Sequence, residues 1–221
     1  MKLKLKSKIV VWIDVDEVLV NFRKFFHQHL KERHSISVPD GFLPADWYYS
    51  DFFCREKFIE VMEGLPKNWA SDLEILPGAV KFIKELRKHN CHIILITHLP
   101  ADLAPERIKN LLSHGVYFDE IYFTFGRKKS EYVIALMERY EYNREKLSHF
   151  LIDDRAQNGY EIMKDCPSFD YFVTLNDSYN KEAIANLKIE FDKTRFNFDS
   201  KTNVQMYSRI IAKIKETLKK K

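Results

Sequence analysis

Two pairs of aspartates, each directly behind a short apolar run, constrain the fold of this chain more than any other feature. Asp14 and Asp16 follow IVVWI near the N-terminus, and Asp153 and Asp154 follow FLI much further along the chain. Such short, fully apolar runs are typical of buried parallel strands, whose carboxyl ends share one edge of a sheet. The four carboxylates are therefore expected to meet at that edge, where open α/β folds bind their ligands.

The apolar runs alternate with amphipathic stretches, which is the pattern of an α/β fold. Helices are predicted at PGAVKFIKELRKH, at APERIKNLLSHG and at the C-terminal TNVQMYSRIIAKIKETLKKK. Strands are predicted at 9–13, 92–97, 121–125, 150–152 and 171–175. This order predicts a Rossmann-like core with a mostly parallel sheet flanked by helices.

Residues 20–75 interrupt the alternation, because they are too many for one crossover helix between the first two strands. They hold two helical patterns, NFRKFFHQHLKERH and DFFCREKFIEVMEG, and many aromatic residues. We predict that 20–75 form a small helical cap inserted into a core made of 1–19 and 76–221. Most of the cap's aromatic rings are expected to form its own apolar core, with one or two facing the cleft.

Composition and charge exclude several classes of protein. The 221 residues are 45% hydrophobic, enough for one core and a small second lobe, and their longest apolar runs are far too short to span a membrane. Three cysteines without a CxxC pair indicate neither a disulfide framework nor a zinc site, and favour the cytoplasm. The net charge of +4 and the lysine-rich KETLKKK do not indicate a nucleic-acid partner.

The spacing of Asp14 and Asp16 suits them to act together in catalysis. The two residues are two positions apart, so in an extended backbone their side chains point to the same side. One can stay ionised beside a cation and attack, while its neighbour is pushed toward protonation and serves a leaving group as acid. A DxD motif alone also fits a surface turn or a plain metal ligand.

Four motifs in order resemble those of the haloacid dehalogenase (HAD) superfamily. They are DVDEVLV after the first strand, Thr97 closing ILIT, a lysine in RKK and the acidic pair in FLIDD. The resemblance implies that Asp14 is the nucleophile that becomes an aspartyl-phosphate and that Asp16 is the general acid and base. Thr97 matches the hydroxyl that binds the phosphoryl group. The cap would be of the C1 type.

The lysine of the third motif is Lys129 or Lys128. Lys129 is favoured because Ser130 follows it, as a hydroxyl residue does in the most similar relatives. Lys128 is then a candidate for substrate binding.

Magnesium is the cofactor that the resemblance and the charges both imply. Three ionised carboxylates and a phosphate outweigh one lysine, so the site without a cation would repel its substrate. Oxygen-only ligands favour magnesium over zinc. The candidate metal residues are Asp14, Asp16, Asp153 and Asp154, with Asp153 the favoured direct ligand of the acidic pair.

A closer resemblance is to the C-type 5'(3')-deoxyribonucleotidases, carried by LPGAVKFIKEL, LIDDRAQN and the SYN of LNDSYN over roughly residues 8–185. It implies a 5'-nucleotidase that dephosphorylates nucleoside monophosphates. Glu17 stands where those proteins usually have glycine, and whether it turns from the phosphate or joins the cap is open. The other substrate-binding candidates are His98, which could donate to the phosphate or the substrate or be an ordinary loop histidine, and Phe22, Trp47 and Phe52, any of which could stack on a base.

Other functions remain open beside this one. The substrate could be a sugar phosphate, another small phosphomonoester or a nucleic-acid 3'-phosphate, and a non-catalytic binding domain could keep the same fold. No membrane partner is expected, and a homodimer is left open. The sequence does not specify the base, the sugar or the 5' against 3' preference.

Overall fold

One parallel sheet organises the fold, which is taken from a computed structural model that describes residues 7–39, 41, 42, 44, 48–139, 147–175 and 178–220. The strands are β1 (Ile9–Ile13), β2 (His92–Thr97), β3 (Glu120–Phe123), β4 (Ser148–Ile152), β5 (Tyr171–Leu175) and β6 (Phe196–Ser200). Their order is β3-β2-β1-β4-β5-β6, and all neighbours are parallel. The predicted fold class is confirmed, although β6 was not predicted.

Helices follow the strands in the order expected of an α/β fold. They are α1 (Phe22–His34), α2 (Arg55–Glu63), α3 (Ala79–Lys88), α4 (Ala104–Ser113), α5 (Lys129–Arg139), α6 (Ala156–Asp165), α7 (Lys181–Glu190) and α8 (Asn203–Lys219). None of the described helices combines the length and the apolar character that crossing a membrane requires.

The central strand β1 is buried on both faces of the sheet. Its successive side chains point to opposite faces, and each face is covered by helices. Ile9, Val11 and Ile13 pack in an apolar cluster with side chains of α3 and α8. Val10 and Trp12 belong to a second cluster, which side chains of α5, α6 and α7 cover on the other face. The sheet is thus the middle of three layers.

The segment between β1 and α3 contains α1, α2 and a short 3-10 turn at Trp69–Ser71. Phe26 of α1 is buried, with ring centroids 5.0 Å from Tyr49 and 5.7 Å from Phe58. These rings belong to the same apolar cluster as Ile9, Val11 and Ile13 of β1. The division into a cap at 20–75 and a core stays a prediction.

The parallel register brings the ends of β1 and β4 side by side. Ile13 pairs with Ile152, and the backbone N–H of Asp14 donates to the Ile152 carbonyl at 3.0 Å. On its other side β1 pairs with β2, so the residues that follow these three strands share one edge. The polar side chains behind the apolar runs therefore converge there.

Candidate active site

Three carboxylates meet at the carboxyl edge of the sheet. Asp14, Asp153 and Asp154 are all buried, and each offers one oxygen within 4.8 Å of the others. Burial, together with the charges of the other two, raises the pKa of Asp14 well above its usual value, although Lys129 opposes the shift. Burial and the adjacent Asp153 raise the pKa of Asp154 to about 6.

Lys129 supplies a positive charge inside this group. It is the first residue of α5 and is only 3% exposed, and its Nζ lies 2.8 Å from Asp14 Oδ1 and 2.8 Å from Asp153 Oδ2. Burial opposes its charge, but the two carboxylates outweigh burial and raise its pKa. The side chain of Lys128 is 62% exposed and lies 3.8 Å from Glu161. Of the two candidate lysines, the structure brings Lys129 to the carboxylates.

Neighbouring side chains hold the acidic pair in place. The Asn158 amide donates to both oxygens of Asp153, at 3.0 and 3.1 Å. The Tyr179 hydroxyl donates to Asp154 Oδ2 at 2.8 Å, and the Asn180 amide donates to the Asp154 carbonyl. These hydrogen bonds fix the positions of the two aspartates. The group as a whole has three clustered carboxylates and one lysine. Its oxygen-only donor set and excess negative charge fit a hard divalent cation such as magnesium.

Asp16 turns to a different partner. Its Oδ1 lies 2.9 Å from Nη1 of Arg107, and its Oδ2 accepts a hydrogen bond from Thr97 Oγ1 at 3.3 Å. Its carboxylate is thus outside the group formed by the other three aspartates. Sequence reasoning missed Arg107, whose only signal is its place beside Leu111 and Asn110 on the buried face of α4.

A cavity of about 100 Å³ lies between the inserted segment and the sheet edge. Phe22 is the predicted substrate-binding residue that lines it. The lining also includes residues that sequence reasoning did not single out for the site, namely Arg23, Pro44, Tyr49, Arg155, Gln157, Tyr179 and Asn180. The inserted segment and the sheet edge therefore both contribute to the cleft beside Asp154.

The other substrate-binding candidates have different surroundings. Phe52 packs against Phe42, with ring centroids 5.1 Å apart, and does not line the cavity. His98 is exposed, and its Nδ1 lies 3.0 Å from the Thr124 hydroxyl oxygen. Trp47 lies outside the described residues.

Glu17 connects the loop after β1 to α1. Its φ of 58° is in the left-handed region, which explains why glycine suits this position. Its carboxylate accepts from the Arg23 backbone N–H at 2.6 Å and lies 3.4 Å from the Arg23 guanidinium. Burial raises its pKa to about 7 against the effect of Arg23. Glu17 thus turns toward α1.

Comparison with known proteins identifies the fold. No protein-family model and no curated protein matches the sequence. Among solved structures, the chain is similar to a haloacid dehalogenase-like hydrolase from Streptococcus pneumoniae, at 12% identity and a TM-score of 0.61, over 91% of this chain and 97% of the other. At such identity the likeness shows the fold alone.

Two further structures have the same fold. A HAD family hydrolase from Deinococcus radiodurans, with bound phosphate and sodium, matches at 13% identity and a TM-score of 0.60, over 94% of this chain and 95% of its own. A candidate beta-phosphoglucomutase from Thermotoga maritima matches at 17% identity and a TM-score of 0.57, over 95% and 99%. The chain therefore has the fold of HAD hydrolases along most of its length.

Proposed function

We propose that this chain is a magnesium-dependent phosphomonoesterase of the HAD superfamily. The observation that carries the proposal is the buried contact of Lys129 with both Asp14 and Asp153 at the carboxyl edge of the sheet. A carboxylate nucleophile beside a fixed cation is an arrangement suited to attack on a phosphorus that carries negative charge. The four motifs and the fold support the same reaction.

Asp14, Asp153 and Asp154 are the residues that would hold magnesium. When bound, the ion offsets the charge of the carboxylates and of the phosphoryl oxygens. The raised pKa of Asp14 without an ion is consistent with this role, since a nearby cation favours the ionised form that attacks.

The residues then divide the reaction in two steps. Asp14 attacks phosphorus, the bond from phosphorus to the leaving oxygen breaks, and Asp16 gives that oxygen its proton. In the second step water attacks the phosphorus of the aspartyl-phosphate while Asp16 takes a proton from that water. The bond from phosphorus to Asp14 breaks, and phosphate is released. The Thr97 hydroxyl and the Lys129 ammonium bind phosphoryl oxygens.

The proposed substrate is a nucleoside monophosphate, which the closer sequence resemblance implies. Phe22 and Tyr49 are among the residues that line the cavity beside Asp154, so aromatic residues are present where a base would bind. A sugar phosphate is the second candidate. It is favoured by the likeness to a candidate beta-phosphoglucomutase. The cytoplasmic location and a homodimer also stay predictions.

The test is phosphate release from a panel of compounds, with magnesium or with EDTA. The panel holds ribo- and deoxyribonucleoside 5'- and 3'-monophosphates, hexose phosphates and a 3'-phosphorylated oligonucleotide. We expect magnesium-dependent release, fastest from the mononucleotides. Faster release from hexose phosphates would transfer the assignment to the second candidate, and no release from any compound would contradict the phosphatase.

A further inference from the structure

Arg107 is a buried cation that none of the four motifs accounts for. It lies on α4 with no exposed surface, and its guanidinium carbon is 5.6 Å from the centre of the Trp69 ring. Its Nη1 lies 2.9 Å from Asp16 Oδ1. A buried charge is costly unless an opposite charge offsets it, and Asp16 supplies that charge here.

The contact between Arg107 and Asp16 is close but poorly directed. Within the described part of the chain, neither the three guanidinium nitrogens nor Asp16 Oδ1 has a well-aligned hydrogen-bond partner. The other oxygen of Asp16 accepts from Thr97 at 3.3 Å, which is long for a hydroxyl donor. The contact between Asp16 and Arg107 is therefore mainly electrostatic, with little directional hydrogen bonding.

Arg107 itself is placed by two elements. The Asn110 amide, three residues further along α4, donates to the carbonyls of Ser71 and Leu73, both at 2.9 Å. These bonds fasten α4 to the segment that returns from the insertion to the sheet, and Trp69 lies in the same segment. The helix that carries Arg107 is therefore fastened to this segment, and its guanidinium is buried beside the Trp69 ring, as suits a group that orients another.

We propose that Arg107 is a positioning residue, which orients the carboxyl group of Asp16 so that its protonated form can give its proton to the leaving oxygen and become the carboxylate. The inference rests on the proposed function, since it needs Asp16 to be the general acid. A contact with little directional hydrogen bonding suits a group that must first donate a proton and later accept one.

The role predicts a dependence on the leaving group that a purely structural arginine would not show. An alkyl phosphate has a poor leaving group and needs the acid, whereas p-nitrophenyl phosphate has a good one and needs it far less. The ratio kcat/KM covers the steps up to departure of the leaving group. A misplaced acid should therefore lower kcat/KM for the alkyl ester selectively.

The experiment compares wild type, Arg107→Met and Arg107→Lys on p-nitrophenyl phosphate and on the alkyl phosphate that wild type hydrolyses fastest. Arg107→Met should lower kcat/KM for the alkyl ester roughly 100-fold, the size of effect that a misplaced catalytic group produces. The aryl ester should lose much less, and Arg107→Lys should recover part of the loss. Arg87→Met, which alters the exposed arginine paired with Asp119, is the matched control.

Thermal unfolding of each variant separates loss of structure from loss of function. If Arg107→Met does not fold, Arg107→Lys is the test variant. It should show the same selective loss of kcat/KM for the alkyl ester, but a smaller one. Equal losses on both esters, or no loss on either, overturn the inference while the phosphatase stands. If wild type hydrolyses neither of the two esters, the proposed function is overturned, and the inference with it.

Discussion

The ammonium of Lys129 lies 2.8 Å from Asp14 Oδ1, and both side chains are buried. The lysine begins α5, in the chain that follows β3, whereas the aspartate directly follows β1. The sheet therefore brings a nucleophile and its counter-charge together from distant parts of the sequence. The lysine thus opposes the effect that the other two carboxylates have on the pKa of Asp14.

Lys129→Met should remove most activity and destabilise the fold. Loss of one charge-stabilising group typically lowers kcat by about 100-fold or more. Breaking a buried ion pair typically costs about 3–5 kcal/mol, because the partner charge is left uncompensated. Turnover and denaturant unfolding measure the two effects. Lys128→Met is the stability control, since that side chain is exposed, and an equal destabilisation by both variants would contradict the assignment of Lys129.

Glu17 should make the metal-free protein less stable as pH rises. Its pKa is raised from 4.5 to about 7, so between these values the unfolded chain releases the proton first. The contribution of Glu17 to the free energy of unfolding should then fall by on the order of 3 kcal/mol across this window and not change further above it. Denaturant unfolding of wild type and Glu17→Gln at several pH values checks this. A difference between the two proteins that is independent of pH would contradict it.

Magnesium should raise the melting temperature, because it offsets the repulsion among the three clustered carboxylates. An ion whose free concentration is 100 times its Kd adds about 2.7 kcal/mol to the free energy of unfolding. Asp154→Asn should shrink this increase. With EDTA at a pH above about 6, the same variant should be more stable than wild type, since it removes a charge that burial disfavours. Melting curves unchanged by magnesium would contradict the metal site.

Gly159→Ala should destabilise the core although alanine favours helices. A Cβ at this position of α6 would lie 2.2 Å from the ring of Phe172, which is fully buried in β5. Overpacking of this kind typically costs about 1–3 kcal/mol. Gly64→Ala is the control, because its nearest contact would be 3.4 Å. A Gly159→Ala protein as stable as wild type would show that the ring can move aside.

The strands that carry the site could be predicted from the sequence because they are uniformly apolar. The bounds of β1 and β2 agree with the predicted 9–13 and 92–97. The edge strand β6 was missed because its sequence, FNFDS, alternates apolar and polar residues and buries only its two ends. A strand covered on one side leaves a weaker pattern than one buried on both.

The same reasoning applies to the site. Asp14 and Asp153 follow apolar strands directly, so their convergence could be inferred from local pattern and strand order. Arg107 reaches Asp16 from a helix, and Arg23 donates to the Tyr179 hydroxyl across the cleft at 3.3 Å. Such contacts depend on how helices pack on the sheet, and short stretches of sequence carry little trace of them.

The most direct test of the account is phosphate release by Asp14→Asn in magnesium, on the compound that wild type hydrolyses fastest. The amide keeps the shape of the side chain and removes the nucleophile, and Asp165→Asn, at an exposed site on α6, is the matched control. We predict that Asp14→Asn releases no phosphate above background while the control equals wild type. Turnover by Asp14→Asn near that of wild type would contradict the proposed mechanism.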